Sequence, residues 1–307
     1  MPAYSTHYLF AYELMEKIKN NVNFEIDEQA IYIGTQGPDI FYDCRIMPWM
    51  VGKPLLSVGK ALHNAKPCNI FNAMKEYINN KSHCNIEKSY ITGFILHYIL
   101  DKNCHPYVYS FQNLIQEKNP KSNSFTAHSI VEFAMDSYLL NKHLSVDKPT
   151  LFNTYNTLNY NKITLNACGK IIAYTVNNST NKNITQKQAE QAIKDIKYIQ
   201  KLTFDPSGNK KKAVSIIEIL LSLPLKNLKA TSLMRIDDIE FAKKFANENN
   251  KLWYSPYDKD RKRFESFEEL FEESKDEALN FINIFFNNGD CYKATHNLSF
   301  LTGLEVK

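Results

Sequence analysis

The chain has 307 residues, 44% hydrophobic and 23% charged, with a formal net charge of +4. This is a globular composition, and the small basic excess excludes the strongly basic footprint of a dedicated nucleic-acid binder. Only nine glycines and eleven prolines are present, which argues against a turn-dense β fold and for long helices.

The first residues, Met1-Pro2-Ala3-Tyr4-Ser5-Thr6-His7, lack a basic start, an apolar run and a small-residue cleavage site. No signal peptide is read, and a cytoplasmic location is expected. Residues 8–19 carry Leu9, Phe10, Tyr12, Leu14, Met15 and Ile18 at helical spacing, with Ser5 or Thr6 as a cap. Residues 31–41, with Gly34, Gly37 and Pro38, read as a turn or loop that places Asp39 just after the proline. Helices are expected over 70–78, 88–101 and 125–140, the second stopped near Asn103 by Pro106.

In the second half, 165–174, 185–202 and 211–223 read as helical, and 177–183 as a polar loop. Residues 264–286 form a long acidic amphipathic helix, with Ser266 as cap and Glu268 and Glu269 in its first turn. The tail, 297–307, is expected to dock at the surface. The longest apolar run, 213–225, contains Glu218 and Pro224 and is too short to span a bilayer. The six cysteines form no Cys-x-x-Cys pair and read as reduced, mostly buried thiols. The basic runs Lys210-Lys211-Lys212 and Arg261-Lys262-Arg263 read as solvated faces. Asp43 and Glu87 read as surface charges, and so do His83, His143 and His296 as surface histidines.

The chemistry concentrates in the first half. His97 and Asp101 lie four apart, so a helix places both on one face. His105 follows at the expected helix end, and His128 and Glu132 repeat the spacing on a second helix. Three imidazoles and two carboxylates would then share one space, and these are ligand types that zinc accepts. Either pair alone is more often a salt bridge. His97, however, sits in the apolar stretch Ile91-Thr-Gly-Phe-Ile-Leu-His97-Tyr-Ile-Leu, where an unpaired imidazole and carboxylate are costly to bury. Asp136 extends the second series by a turn, either to orient a ligand imidazole or to form a plain salt bridge. Tyr98, Tyr107 and Tyr109 read as core or as pocket walls.

Five segments in order carry a resemblance: Thr6-His7-Tyr8-Leu9-Phe10, Gly34-Thr-Gln-Gly-Pro-Asp39, Leu62-His63-Asn64, Gly93 to Asp101 with His105-Pro106, and His128-x-x-x-Glu132. Together they resemble the zinc-dependent phospholipase C family, and Asn297-Leu-Ser-Phe-Leu-Thr-Gly303-Leu resembles the ending of its cytoplasmic members. The resemblance implies an all-α fold, one multi-helix domain over 1–307, and a zinc cluster held within 7–136, with the helices of 150–307 completing the bundle. By carry-over, Asp39, His63, His97 and Asp101 bind one Zn2+ and His105, His128 and Glu132 a second. His7 and Asp101 contribute to a third, and Asp39 is the general base. Two departures stand out. Secreted members complete the third site with an N-terminal tryptophan, whereas the first tryptophan here is Trp49, leaving Tyr4 or Ser5 as neighbours of His7. Ile40 follows Asp39 where secreted members place a choline-binding aromatic.

The resulting expectation is a zinc-dependent phosphoesterase that hydrolyses a phosphodiester with metal-activated water. Its substrate would be a phospholipid met by peripheral membrane contact, or a soluble phosphodiester or phosphomonoester. A nuclease-like activity ranks lower because no aromatic-basic stripe is present. The alternatives are a non-catalytic zinc-binding helical protein and a helical scaffold whose His and Asp residues are incidental.

Overall fold

The computed structural model describes residues 3–82, 84–221 and 229–306. These residues form twelve α-helices, several short 3-10 turns and one antiparallel hairpin. The all-α expectation therefore holds. The features read at Met1, Pro2, His83, residues 222–225 and Lys307 lie outside the described residues.

Helix α5 (Asn85–Lys118) is the spine. Its 34 residues run about 50 Å at the usual helical rise, and from Ser89 to Lys102 every residue is buried. Helix α2 (Glu28–Gly34) lies against it at backbone distance. A Cβ at Gly34 would fall 2.2 Å from the carbonyl oxygen of Tyr90, and one at Gly93 would fall 2.0 Å from that of Ile31. Only paired glycines allow this approach. Segment 31–41 is thus the expected turn but no loop: α2 ends at Gly34, the chain turns at 35–36, and a 3-10 turn, Gly37–Phe41, packs on α5.

Pro106 does not stop α5, which continues to Lys118. Proline removes one hydrogen bond, the one to the carbonyl of Lys102. Packing of both faces outweighs that loss, and the tail covers the position, with Gly303 next to the Lys102 carbonyl and the Pro106 ring.

Helix α1 (Tyr4–Asn21) begins earlier than expected, so Ser5 and Thr6 lie inside it. Its cap comes from a distant helix, α6 (Ser124–Leu144). The buried Asp136 carboxylate accepts from the Ser5 and Thr6 amides at 3.1 and 2.8 Å and from Thr6 Oγ1 at 2.7 Å. Arg235 stands 3.7 Å behind it and donates to the carbonyls of Pro149 and Phe152. Asp136 therefore fixes the first turn of α1 and touches no imidazole through the bonds it makes.

Helices α3 (Leu56–Asn64) and α4 (Pro67–Asn79) precede the spine. Helices α7 (Lys162–Ser179) and α8 (Gln186–Thr203) pack as a pair, and α7 absorbs the start of the expected polar loop. Helix α9 spans Asn209–Leu221 and α10 spans Ile239–Lys243. Strands β1 (Trp253–Ser255) and β2 (Asp258–Arg263) form a hairpin that the sequence reading missed; it is short and mostly polar, so it has no alternating stripe.

Helix α11 (Phe267–Phe286) starts behind Ser266 with a capping box completed by Glu269, as expected. It buries Phe271 against Phe10 and Phe281 against Phe71 and Tyr98. Each such ring contributes about 2 kcal/mol by burial. After α12 (Cys291–Thr295) the tail does not simply lie on the surface, because Phe300 is fully buried against His63, Phe94 and Tyr98. All six cysteines are unpaired, and five are buried.

Candidate metal centre

Four elements bring the predicted residues of the first group together. Helix α1 supplies His7, the 3-10 turn Asp39, α3 His63, and α5 His97 and Asp101. All five are at most 3% exposed. Asp101 stands at the centre. Its Oδ1 lies 3.3 Å from His7 Nε2, and its Oδ2 lies 3.1 Å from His97 Nε2 and 3.6 Å from His63 Nε2. Asp39 Oδ1 lies 3.3 Å from His63 Nε2. The His7 and His97 rings stack at 4.3 Å.

The ring tautomers follow from the outer contacts. His97 Nδ1 lies 2.9 Å from the carbonyl of Thr35, and His63 Nδ1 lies 2.9 Å from that of Gly59. A carbonyl only accepts, so Nδ1 carries the hydrogen and Nε2 turns a bare lone pair inward. Tyr42 adds its hydroxyl 3.1 Å from His63 Nδ1. Gly37 makes room for the His97 ring: it sits at φ +48°, and a Cβ there would be 2.3 Å from His97 Cδ2.

The fit to a metal is tested by the atoms left over. His7 Nδ1 and Nε2, Asp39 Oδ1, His63 Nε2, His97 Nε2 and both Asp101 oxygens are buried without a hydrogen-bond partner. Such a concentration of orphaned polar atoms is costly and rare unless something binds them. Bonds of 2.0–2.1 Å in a tetrahedral zinc site imply ligand-to-ligand edges of about 3.3 Å, and the observed contacts cluster there. His7, Asp39 and His97 form one set of ligand atoms lying within 4.8 Å of one another, and His63, His97 and Asp101 form another. The donor set fits divalent zinc.

The electrostatics agree. Burial opposes ionisation of Asp101, yet the imidazoles of His97 and His105, with His63 and His7, hold its carboxyl well below the ordinary range. Burial alone would lower His63, but Asp101 and Asp39 lift it to about 9. His97 is raised against the same burial by Asp101 and Asp39. A place that raises imidazoles so strongly favours a positive occupant, and protons and metal ions compete for it. His7 is lowered, by burial and by the neighbouring His97.

The second group is contiguous with the first. His105, His128 and Glu132 also present ligand atoms within 4.8 Å of one another. His128 Nε2 lies 2.9 Å from Glu132 Oε1, and Asp101 Oδ2 lies 3.7 Å from His105 Nδ1. The carbonyl of Phe300 takes His105 Nδ1 at 2.7 Å, and Gln112 Oε1 takes His128 Nδ1 at 2.9 Å. Burial drives His105 well below the usual histidine range. Burial opposes the ionisation of Glu132, but His128 holds it below the ordinary value. His128 is the least buried of the eight predicted residues, with 18% of its side chain exposed, so access lies on its side. Tyr109 stands there, 5.6 Å from the His105 ring and 4.9 Å from the His128 ring, and meets Tyr257 of the hairpin edge-on at 5.4 Å. Tyr98 and Tyr107, by contrast, are core.

Several surrounding residues were misread or missed. Asp43 is buried, not a surface charge; it accepts from the Tyr4 hydroxyl at 2.6 Å, and burial pushes its carboxyl to about 7. Tyr4 is thereby committed to Asp43 and not to His7. Glu87 is also buried. His143 is largely covered and lies 2.8 Å from Glu13 Oε1, in a network completed by Lys275 and Glu268. His296 is exposed, as expected. The carbonyls of Thr35, Gly59 and Phe300 left no mark in the sequence, since every residue carries one. The positive φ at Gly37 did leave a mark, in the glycine itself.

The family model described as zinc dependent phospholipase C matches residues 6–196. That span contains all eight predicted ligands and ends inside α8. Neither a curated protein nor a solved structure matches the chain.

Proposed function

From the premise that the chain belongs to the zinc-dependent phospholipase C family, we propose that it hydrolyses a phosphodiester at this centre. The observation that supports it most is the set of orphaned, buried ligand atoms around Asp101. Asp39, His63, His97 and Asp101 would hold one zinc, His105, His128 and Glu132 a second, and His7 with Asp101 would contribute to a third. Bound zinc supplies Lewis acidity toward phosphate oxygens and lowers the pKa of water.

The chain's own residues do the rest. The carbonyls of Thr35 and Gly59 hold His97 and His63 with Nε2 inward and that of Phe300 fixes the His105 ring, so the proposed ligand set is organised before metal arrives. Asp39 is the general base, accepting the proton of the attacking water at its carboxylate. Tyr109 and Tyr257 line the His128 side, where the centre is least buried. We read 1–307 as one domain whose second half completes the bundle: α11 covers α5, and Phe300 closes the centre from behind. A phospholipid is the substrate class that the family suggests. Ile40 in place of an aromatic leaves the headgroup to the tyrosines.

The test is zinc stoichiometry by elemental analysis, with hydrolysis of a choline phosphodiester, a phospholipid emulsion and single-stranded DNA side by side. His97→Ala and Asp101→Ala should lose metal and turnover together. Full zinc content and full turnover in His97→Ala would refute the assignment.

A further inference from the structure

His63, His97 and His105 each meet a backbone carbonyl at Nδ1. His128 meets a side chain instead, the amide of Gln112 at 2.9 Å. A carbonyl only accepts, so it admits one polarity. A side-chain amide has an oxygen on one side and an NH2 on the other, and a half-turn exchanges them. What Gln112 presents to His128 therefore depends on what holds Gln112 from behind.

The choice matters for the ring. His128 Nε2 lies 2.9 Å from Glu132 Oε1. A neutral imidazole carries one hydrogen. With that hydrogen on Nε2, the ring is bonded to Glu132 and offers a metal no lone pair on that side. With it on Nδ1, Nε2 turns its lone pair into the space shared with Glu132 and His105. Glu132 by itself favours the first arrangement, because an ionised carboxylate is a strong acceptor. A group on the Nδ1 side has to favour the second.

That group is anchored in the bend between α5 and α6. Gln112 Nε2 donates to Gln116 Oε1 at 3.1 Å, one turn further along α5. Gln116 Nε2 reaches Ser124 Oγ at 3.1 Å and the carbonyl of Ser122 at 3.5 Å. A serine hydroxyl suits either polarity, but a carbonyl cannot donate, so the nitrogen of Gln116 faces it. Outward from that carbonyl, each link is fixed by the one before. Gln116 turns Oε1 to Gln112, Gln112 turns Oε1 to His128, and Nδ1 supplies the hydrogen. Ser122 is itself held, its amide donating to the Asn119 carbonyl at 2.8 Å. The stretch of α5 beyond Pro106 thus carries both glutamines, and Ser124 opens α6 one turn before His128.

We propose that Gln112 and Gln116 are positioning residues that set the polarity of His128. Two amides in series, anchored on the Ser122 carbonyl, keep the hydrogen on Nδ1 and the Nε2 lone pair facing Glu132 and His105. Their use rests on the reading of His128 as a metal ligand; the ring polarity is measurable without metal or turnover.

The experiment is long-range proton–nitrogen correlation spectroscopy of the zinc-free full chain, labelled at its histidines with heavy nitrogen. It is run at about pH 8, where imidazole is ordinarily neutral, and a His128→Gln variant assigns the signal. The wild-type ring should carry its hydrogen on Nδ1. Gln116→Glu keeps an acceptor for Gln112 Nε2 and should leave the ring unchanged. Gln116→Lys offers a donor, which turns Gln112 Oε1 toward itself and the Gln112 NH2 toward His128, and should move the hydrogen to Nε2. Gln112→Leu removes the last link and should do the same, whereas Gln112→Glu keeps the acceptor and should preserve the wild-type ring. Zinc affinity, by competition with a chelator, should fall about 10–100-fold in Gln116→Lys and Gln112→Leu and hold in the two glutamate variants. Both glutamines are half-buried, and circular dichroism checks that the variants fold. Lost packing alone cannot separate lysine from glutamate at one position. A wild-type ring with its hydrogen on Nε2 would overturn the proposal. So would Gln116→Lys and Gln116→Glu chains that share one ring state and one zinc affinity. Hydrolysis of a soluble choline phosphodiester is measured on the same preparations. Its absence from the wild-type protein refutes the phosphodiesterase reading and leaves the ring result standing.

Discussion

Replacing Gly37 by alanine separates the demands of the fold from those of the metal centre. Gly37 sits at φ +48°, where a Cβ costs about 1–2 kcal/mol in any chain. The same Cβ would stand 2.3 Å from His97 Cδ2, so the ring must retreat by about an ångström to reach an ordinary contact. That movement breaks the 2.9 Å bond from His97 Nδ1 to the Thr35 carbonyl and leaves a buried acceptor unmet, at about 1–3 kcal/mol. The expected loss is therefore about 2–5 kcal/mol, with His97 Nε2 no longer aimed at Asp101. Gly208 supplies the control, with φ +69° and nothing within 4 Å of its would-be Cβ. Gly208→Ala should cost only the backbone portion, about 1–2 kcal/mol. Urea unfolding of both metal-free variants, with zinc per chain measured after dialysis, reads the difference. If Gly37→Ala matched Gly208→Ala in stability and kept the zinc content of the wild type, the tight seating of His97 against the 3-10 turn would be refuted.

Three further substitutions test the surrounding shell. Asp136→Ala removes the cap of α1 and leaves Arg235 buried without its anion; it should cost about 2–4 kcal/mol in urea unfolding and weaken the metal bound through His7. Asp43 has its folded pKa raised to about 7 by burial, so its contribution to stability is present below about pH 4 and is lost as pH rises through 7. Asp43→Asn should therefore be neutral near pH 4 and stabilising at pH 8, by at most about 4 kcal/mol, and a gain that failed to grow with pH would contradict the burial argument. Phe300→Ala opens a cavity beside His63 and His97 and should cost about 3–5 kcal/mol in thermal or urea unfolding, with zinc affinity reduced in step.

Part of the proposed ligand set is legible in sequence because its chemistry is periodic. His97 with Asp101 and His128 with Glu132 stand at helical spacing, and an apolar flank around His97 makes a structural accident costly. What surrounds them was not legible, for two reasons. Backbone carbonyls do the orienting, and a carbonyl carries no residue identity. The other partners come from far along the chain: Asp136 caps a helix 130 residues away, and Arg235 braces it from beyond α8. Local rules also misfire where packing outweighs propensity. Pro106 reads as a stop yet is itself buried inside a long packed helix, and the glycines of 31–41 read as a turn or loop because their use, backbone contact between α2 and α5, is tertiary. Asp43 and Glu87 lacked any motif, so they were placed on the surface by default; Asp43 is met in the interior by the Tyr4 hydroxyl, 39 residues away.

The carbonyl of Phe300 lies 195 residues downstream of the imidazole it orients. During synthesis at about 5–20 residues per second, His105 emerges about 10–40 s before that acceptor exists. For that interval α5 and α6 can be in place while His105 Nδ1 still lacks that acceptor. The centre therefore cannot be finished by the segment that supplies its ligands. A chain interrupted before residue 300 would carry every proposed ligand yet lack the group that aims one of them.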